Sequence, residues 1–282
     1  MPTVAYLGPE KTNTYFAARK KFGVAAKYVH APTVEDIFQS VERRKADFGV
    51  VPIENSLEGA VTHTLDRFMD FRDSPAKICA EVDLSIQHYL ITRPGASLGR
   101  IETVFSHPQA LGQCRQWLSR QCPGARRVET SSTAEAVGKL VAPRAFEAFK
   151  QEEAAAIGRQ ELAKELRLKA IPIPMDQENR TRFLVLSLQA AKKGKGNKTA
   201  LMFALKDKPG ALHDALVPFK NYGINLMKIE SRPTKRRAWE YVFFVDFAGH
   251  QFDPKVRKAL EALRRCTAEV RVLGSYPVGS KS

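Results

Sequence analysis

The chain has 282 residues, 44% of them hydrophobic and 27% charged, which is the composition of a soluble globular protein large enough for two domains. The first residues lack the basic and apolar regions of an export signal, and no apolar run approaches the roughly 20 residues of a membrane span. We therefore expect a cytoplasmic protein without a membrane segment.

The net charge of +15 raises the question of nucleic-acid binding. The densest basic segments, 192–198 and 235–237, fall where a linker and a hairpin turn are expected. No predicted helix carries a continuous basic stripe. General attraction of anions explains this distribution better than DNA does, so we expect no nucleic-acid partner.

Metal, nucleotide and serine-hydrolase chemistry lack support in the sequence. The four cysteines, Cys79, Cys114, Cys122 and Cys266, form no CxxC pair and have no histidine at the spacing of a zinc site. No GxxxxGK[ST], GxGxxG, HExxH or GxSxG motif occurs. We expect neither a metal nor another cofactor.

The first 188 residues alternate short strand-like runs with helical patterns. Strands are predicted at 4–7, 48–53 and 104–105, and helices at 16–22, around 61–68, around 111–118 and at 145–168. The alternation predicts an α/β fold with βαβ units, a mainly parallel sheet and two lobes around a cleft. The chain is expected to cross to the second lobe near 76–80 and to return near 170–178.

Lysine and glycine dominate residues 189–198, and this composition predicts a linker after a first domain at 1–188. Residues 199–282 then follow the order β-α-β-β-α-β, which is that of a ferredoxin-like domain. Strands are predicted at 199–206, 224–230, 239–247 and 270–273, and helices at 211–222 and 253–266. Asp253 is expected to cap the second helix.

Polar side chains follow the first two predicted strands. Thr12 and Thr14 come after the first strand, where their hydroxyls could cap a helix or contact a ligand. After the second strand, either Asn55 or Ser56 could cap a helix. The same helix start could instead bind an anion through its unpaired N–H groups.

The third predicted strand ends in Ser106 and His107, either of which could cap a helix that begins at Pro108. Gln109 and Gln113 then lie four residues apart on one helix face. Two such amides could hold a hydroxyl or a carboxylate, although solvated surface explains an exposed glutamine as well. His107 could also act as a general acid or base.

Residues 179–183 place a hydroxyl between two guanidinium groups at the start of an apolar strand. A neutral proton donor beside fixed positive charge suits an anionic substrate that must lose a hydroxyl group. Strand alternation puts Thr181 and Phe183 on one side and Arg180 and Arg182 on the other, so both arginines cannot share a pocket with the threonine. An edge strand with protective charges is the alternative.

Taken together, these segments resemble prephenate dehydratase over nearly the whole chain. The resemblance is carried by LGPE-K-TNT near the start, VPIENSLEG, SHPQALGQC and N-R-TRFLVL. It continues in the ACT regulatory module with GALHDALVPFKNYGINLMKIESRP and EYVFFVDFAGH. The resemblance implies a two-lobed, periplasmic-binding-protein-like catalytic domain with a cleft, followed by a ferredoxin-like ACT domain at 199–282.

The resemblance also implies a reaction, the decarboxylating dehydration of prephenate to phenylpyruvate in phenylalanine biosynthesis. In that family the threonine of the Thr-Arg-Phe motif, here Thr181, assists departure of the ring hydroxyl. The residues that match the family's pocket are Asn55, Ser106 and Gln113.

Physical reasoning adds expectations about the two substrate carboxylates. The carboxylate that survives the reaction should be anchored, by Arg182 or by a helix N-terminus. The other leaves as CO2, and a tight salt bridge to it would stabilise the ground state more than the transition state. We therefore expect at most one arginine to contact the substrate, with Phe183 helping to exclude water.

The chain departs from the family pattern in its first loop. Where the family usually has Gly-Thr-Phe-Ser, this chain has Lys11, Thr12, Asn13 and Thr14. The two hydroxyl positions survive, so Thr12 and Thr14 are expected to contact the substrate. The segment between Pro174 and Asn179 is also shorter than the family usually shows.

The ACT resemblance implies that L-phenylalanine binds between two copies of this module and inhibits the enzyme, in a homodimer or homotetramer. The effector-binding residues would be Gly210, Ala211, Leu212, Asn225, Leu226, Glu230, Ser231 and Arg232. Arogenate dehydratase is the near alternative, because the two substrates differ only in one side chain. A non-catalytic phenylalanine-binding regulator is the alternative from a different class.

Overall fold

The computed structural model describes residues 1–70, 74–142, 154–194, 196–234 and 240–279. It divides into two compact units. Unit 1 comprises Met1–Leu7, Ala17–Leu84 and Thr181–Ser282, and unit 2 comprises Gly8–Phe16 and Ser85–Arg180. The predicted basic turn at 235–237 and the first part of the helix predicted at 145–168 lie outside the described residues.

The strands and helices are numbered in chain order. The strands are β1 (Thr3–Leu7), β2 (Lys27–Ala31), β3 (Phe48–Asn55), β4 (Gly59–Ala60), β5 (Lys77–Ser85), β6 (Tyr89–Thr92), β7 (Thr103–Ser106), β8 (Arg126–Glu129), β9 (Ala154–Gly158), β10 (Lys169–Pro172), β11 (Arg180–Ser187), β12 (Asn197–Leu205), β13 (Leu226–Pro233), β14 (Tyr241–Ala248) and β15 (Thr267–Pro277). The helices are α1 (Asn13–Phe22), α2 (Val34–Glu42), α3 (Thr62–Asp70), α4 (Pro108–Gln113), α5 (Arg115–Gln121), α6 (Thr133–Lys139), α7 (Gln160–Glu165), α8 (Ala211–Asn221) and α9 (Pro254–Cys266), with a 3-10 turn at Leu98–Arg100.

The first sheet of unit 1 has the strand order β2-β1-β3-β11-β5, with the short β4 paired to β3. β1 is parallel to β2 and β3, whereas β11 runs antiparallel to β3. The apolar residues of β3 and β11 are buried because α2 and α3 cover this sheet with side chains such as Phe38 and Phe68. This sheet brings the end of β3 and the start of β11 side by side.

The carboxy-terminal sheet of unit 1, β12 to β15, has the order β13-β14-β12-β15. With α8 and α9 this is the predicted ferredoxin-like βαββαβ arrangement, which is confirmed. The other face of this sheet shares an apolar core with the first sheet, through residues such as Met202 and Phe244. β15 approaches β5 so closely that a side chain at Gly274 would lie 2.1 Å from the carbonyl oxygen of Ile78.

The helix α9 begins at Pro254 as predicted, with Asp253 at the position before it. Asp253 makes no side-chain cap, so that part of the prediction was wrong. Its carboxylate instead accepts a hydrogen bond of 2.8 Å from the backbone N–H of His250 and forms an ion pair of 2.5 Å with Lys193. These two nearby donors compete successfully with the backbone N–H groups of the helix.

The sheet of unit 2 has the order β10-β6-β9-β7-β8 and is mixed rather than wholly parallel. The helix prediction for 145–168 was wrong over Ala154–Gly158, which forms β9 at the centre of this sheet. Ala154 to Ile157 are 0 to 2% exposed between β6 and β7. Burial between two strands therefore overrides the helix propensity of alanine, and over 154–168 the structure is helical at α7.

The predicted fold class is confirmed: both units are α/β and the carboxy-terminal module is ferredoxin-like. The predicted domain boundaries and linker stay a prediction. No helix among the described residues has both the length and the apolarity that a membrane span requires.

Candidate active site

Thr181 and Asn55 form a cross-strand pair in unit 1. They lie directly opposite one another on β11 and β3, and the side-chain amide of Asn55 donates a hydrogen bond of 2.9 Å to Thr181 Oγ1. A hydroxyl oxygen that accepts this bond still carries its own proton. The pair therefore fixes the hydroxyl of Thr181 as a hydrogen-bond donor in a direction away from Asn55.

The same amide holds the turn after β3. Asn55 Oδ1 accepts hydrogen bonds from the backbone N–H groups of Leu57 at 2.9 Å and Glu58 at 3.2 Å. Gly59, with a φ of +82°, then lets the chain reverse into β4. No helix begins at Asn55 or Ser56, so both the cap and the helix-terminus anion site predicted there were wrong.

Arg182 has a different environment from its neighbour Thr181. Its guanidinium forms ion pairs with Asp246 at 2.7 Å, Glu54 at 3.0 Å and Glu81 at 3.6 Å, and its side chain is 16% exposed. Burial alone would lower the pKa of Arg182, but Asp246 and Glu54 outweigh it and the pKa is raised. Three carboxylates already neutralise this guanidinium, so the prediction that Arg182 binds a substrate carboxylate needs correction.

The two other residues of this segment also have clear positions. Arg180 Nη1 donates to Glu178 at 2.7 Å. Phe183 is 1% exposed in β11, directly opposite Pro52. Its predicted role in excluding water from the substrate stays a prediction.

Gln113 is the centre of a polar cluster in unit 2. Its side-chain oxygen accepts a hydrogen bond of 2.9 Å from the amide of Asn179 and lies 2.8 Å from His88 Nε2. Burial lowers the pKa of His88, while the hydrogen bond to Gln113 acts in the opposite direction. The imidazole is therefore neutral at pH 7 and donates from Nε2, and the two donors fix the orientation of the Gln113 amide.

Ser106 and His107 have structural partners. Ser106 is fully buried and donates a hydrogen bond of 3.0 Å to the carbonyl oxygen of Ile157, so towards a ligand its hydroxyl could only accept. His107 caps α4, because its Nδ1 accepts the backbone N–H of Gln109 at 3.3 Å. Gln109 itself is exposed, whereas Gln113 is partly buried, and the use of both amides on one ligand stays a prediction.

The first loop is held by the residues that depart from the family pattern. Lys11 forms an ion pair of 2.5 Å with Glu165, and Asn13 Oδ1 accepts from Arg159 at 3.3 Å. Thr12 Oγ1 accepts a hydrogen bond of 3.5 Å from the backbone N–H of Tyr15, which is a helix-capping contact. Thr14 is buried. The cap reading thus accounts for Thr12, and substrate contact by Thr12 or Thr14 stays a prediction.

Sequence reasoning missed two site residues, His88 and Arg159. The Arg159 guanidinium lies 4.7 Å from the ring centroid of Phe16 and pairs with Glu161 at 3.1 Å. Its charge acts on His88, where it further lowers the pKa. Arg159 follows β9 directly. Because a helix was predicted over 145–168, the sequence did not indicate that Arg159 stands at the end of a strand.

The predicted effector residues do not all lie on one face of β13. Arg232 donates to Asp66 of α3 at 2.9 and 3.2 Å, and Glu230 shares that face, whereas Ser231 is exposed on the other. Gly210, with a φ of +75°, precedes α8, and Ala211 N–H donates to a backbone carbonyl at 3.3 Å. Leu212 and Asn225 are exposed, and Leu226 is partly buried.

Within the residues that the structure describes, no group of three or more His, Cys, Asp or Glu side chains is arranged to hold a metal ion. Unit 1 thus supplies the neutral Asn55–Thr181 pair, and unit 2 supplies neutral amides together with Arg159. Such groups can orient an anionic substrate and donate a proton or hydrogen bond to a departing oxygen.

Comparisons with known proteins agree with this chemistry. The family model for prephenate dehydratase matches residues 4–191, and that for the ACT domain matches residues 199–265. A bifunctional chorismate mutase/prephenate dehydratase of Aquifex aeolicus is 43% identical, over 97% of this chain and 73% of its own. A prephenate dehydratase of Methanocaldococcus jannaschii is 39% identical, over 89% of this chain and 88% of its own.

A solved structure is also similar over most of the chain. It is a prephenate dehydratase from Arthrobacter aurescens in complex with L-Phe, which has a TM-score of 0.86 and 34% identity, over 98% of this chain and 90% of that one. The resemblance noted in the sequence is thereby confirmed. The chain belongs to the prephenate dehydratase family and carries a carboxy-terminal ACT domain.

Proposed function

We propose that this chain is a carbon-oxygen lyase that converts prephenate to phenylpyruvate, CO2 and water in phenylalanine biosynthesis. Two relatives that carry the name prephenate dehydratase are identical to this chain at about two fifths of the aligned positions, over most of its length. The observation that carries the proposal is the hydrogen bond from Asn55 to Thr181. It presents a neutral hydroxyl proton in the place that the family pattern gives to assistance of the leaving hydroxide.

Aromatisation of the ring drives the reaction, so the protein does not need an electron sink. The bond between the ring and its carboxylate breaks, and its electron pair becomes part of the new aromatic ring. The ring hydroxyl leaves from the opposite carbon and takes up a proton from solvent to become water. Thr181 donates a hydrogen bond to this oxygen as its negative charge develops, and threonine is too weak an acid to titrate fully in this role.

The surviving carboxylate of the substrate is anchored by Arg159 instead of Arg182. Within the described parts of the chain, Arg182 pairs with three carboxylates. Arg159 pairs with Glu161, whose side chain is 52% exposed, and an ion pair with such an exposed partner is weak. Arg159 is also adjacent to the uncharged amide cluster around Gln113. An arginine beside neutral amides suits recognition of an anionic, hydroxylated substrate.

L-phenylalanine acts as the feedback inhibitor through the ACT domain. Support comes from the ACT match and from the relative whose structure contains L-Phe. Inhibition is a shift between conformations that differ in their affinity for the two ligands. All the predicted effector residues remain the proposed contacts: Gly210, Ala211, Leu212, Asn225, Leu226, Glu230, Ser231 and Arg232. Arg232 is held in place by its ion pair with Asp66.

The protein works as a homodimer or homotetramer in the cytoplasm. β13 is an edge strand of the carboxy-terminal sheet, and the apolar side chains of Leu212, Met227, Ile229 and Tyr241 are exposed in the same module. An edge strand beside exposed apolar side chains is suited to association with a second copy.

The test is an assay of the purified full chain for phenylpyruvate formed from prephenate, with or without added phenylalanine, and for phenylalanine formed from arogenate. We expect phenylpyruvate from prephenate well above the uncatalysed rate, and inhibition by phenylalanine. Phenylalanine formed from arogenate at a higher kcat/KM would indicate the alternative substrate. Tight phenylalanine binding without any product would indicate the non-catalytic regulator and would overturn the proposal.

A further inference from the structure

Six charged side chains form a cluster inside unit 1, where the first sheet meets the carboxy-terminal sheet. We call this group the charge cluster. Its members are Glu54 on β3, Glu81 on β5, Arg182 on β11, Lys198 on β12, Lys228 on β13 and Asp246 on β14. None of the six side chains is more than 32% exposed, and the three positive charges balance the three negative ones.

Arg182 is the centre of the charge cluster because it contacts all three carboxylates. Lys198 pairs with Glu81 and lies 3.7 Å from Asp246. Lys228 pairs with Glu54. The carboxy-terminal sheet thus supplies one carboxylate, Asp246, to Arg182. It also supplies one lysine to each of the two other carboxylates that Arg182 contacts.

The charge cluster lies one residue away from the proposed catalytic pair. Glu54 and Arg182 face one another across β3 and β11, next to Asn55 and Thr181, which form the adjacent cross-strand pair. The register of the two strands shifts immediately afterwards, between Arg182 and Phe183. The regular strand ladder is interrupted there, so the ion pair supplements the backbone in fixing the relative position of the two strands.

Burial of six charges is a costly way to stabilise a protein. Apolar side chains of similar volume are often as stabilising as a buried ion pair, whereas removal of one partner leaves an uncompensated charge. The six side chains nevertheless join six strands, so the charge cluster fixes the positions of those strands relative to one another. The geometry that it controls includes the ends of the two strands that carry Asn55 and Thr181.

We propose that Glu54 and Arg182 are positioning residues for Thr181, and that Lys228 links them to β13 of the carboxy-terminal sheet. This inference rests on the proposed function and deepens it. β13 carries several of the predicted effector residues, so Lys228 provides a direct route from the effector-binding edge to the catalytic strand. A change in β13 alters the pairing of Glu54, and through Arg182 it shifts the hydroxyl of Thr181.

The first test is kinetic and uses Lys228→Met in the full chain. We expect kcat for phenylpyruvate formation to fall about tenfold with KM changed less than about twofold, because misplacement of a catalytic group affects the transition state most. Inhibition by phenylalanine should weaken as well. Lys228→Arg keeps the charge and should restore most of kcat. Lys193→Met is the same substitution outside the charge cluster; it removes a more exposed ion pair, to Asp253, and should leave kcat unchanged.

Glu54→Gln breaks the same link from its other end and keeps the shape of the side chain. The double variant Glu54→Gln/Lys228→Met should lose little more activity than Glu54→Gln alone, because Lys228 acts on β11 through Glu54. Additive losses would contradict a shared route through Lys228 and Glu54 and would overturn the inference.

The second test does not depend on catalysis. Amide hydrogen exchange in a peptide covering residues 181–187 should accelerate in Lys228→Met and not in Lys193→Met. Unchanged exchange in Lys228→Met overturns the inference whatever the activity. Faster exchange with kcat within about twofold of an active wild type also overturns it. An inactive wild type rejects the proposed function alone, and exchange then decides whether Lys228 positions β11.

Discussion

The side-chain amide of Asn55 donates a hydrogen bond of 2.9 Å to the hydroxyl oxygen of Thr181 across two antiparallel strands. The other atom of the same amide holds the turn after β3 through two backbone N–H groups. One side chain therefore joins the local fold to the chemistry, because its NH2 group can face Thr181 only while its oxygen faces the turn.

Asn55→Asp separates these two roles. The carboxylate keeps an acceptor for the turn, but it cannot donate to Thr181 and instead accepts a hydrogen bond from the Thr181 hydroxyl, which is then turned away from the substrate. We expect kcat to fall by about 100-fold with little change in melting temperature. Asn55→Ala, which loses the turn contacts as well, should lose activity and also about 1 kcal/mol or more of stability. Activity of Asn55→Asp close to that of wild type would show that the donor is dispensable.

Arg159→Gln tests the carboxylate anchor. The surviving carboxylate is present in both substrate and transition state. Loss of the Arg159 guanidinium should therefore raise KM for prephenate by about tenfold to 100-fold, with kcat less affected. The matched control is Lys164→Gln, at an exposed position of α7. Steady-state kinetics of both variants decide the point, and equal KM values in Arg159→Gln and wild type would contradict the assignment.

His88 makes stability depend on pH in a definite direction. Burial lowers its pKa below 6.5, so the folded protein holds the neutral imidazole while the unfolded chain protonates near 6.5. Above pH 6.5 this pKa difference costs the folded protein no stability. As the pH falls from 6.5 towards the pKa of the folded state, the free energy of unfolding decreases, because the unfolded chain binds the proton more readily. Urea unfolding at about pH 7.5 and about pH 5.5 should show a smaller loss of stability in His88→Gln than in wild type. The matched control is His213→Gln, because His213 is exposed, and it should behave like wild type. An equal loss of stability in His88→Gln and wild type would contradict this account.

Gly274→Ala tests the close contact of β15 with β5. A Cβ atom there would lie 2.1 Å from the carbonyl oxygen of Ile78, so one of the two backbones must move. We expect a loss of about 2 kcal/mol in the free energy of unfolding. Gly138→Ala, in α6 with open space around the new methyl group, should instead gain about 0.5 kcal/mol. Equal stabilities of the two variants would show that the sheets separate easily.

The carboxy-terminal module could be predicted almost completely from its sequence. Its helices have clear apolar periodicity, and its strands alternate with turns over short distances, so local patterns specify the elements. β9 could not be predicted in this way. Its alanines favour a helix locally, and only burial between two strands that are distant in sequence makes them a strand.

The sequence motifs predicted which residues belong to the candidate site, but they did not predict the contacts between those residues. Thr181 and Asn55 were identified because each ends or begins an apolar strand, but their contact depends on an antiparallel register that joins residues 126 positions apart. Arg182 had the right residue type for a substrate carboxylate. Its three acidic partners come from β3, β5 and β14, and no local pattern connects those strands.

The most direct measurement is the kcat for phenylpyruvate formation from prephenate by wild type, Thr181→Ser and Thr181→Ala. Serine keeps the hydroxyl, so Thr181→Ser should stay within about tenfold of wild type, whereas Thr181→Ala should fall by about 100-fold or more at similar KM. If Thr181→Ala instead retains a kcat within about tenfold of wild type, the hydroxyl of Thr181 does not assist the leaving group.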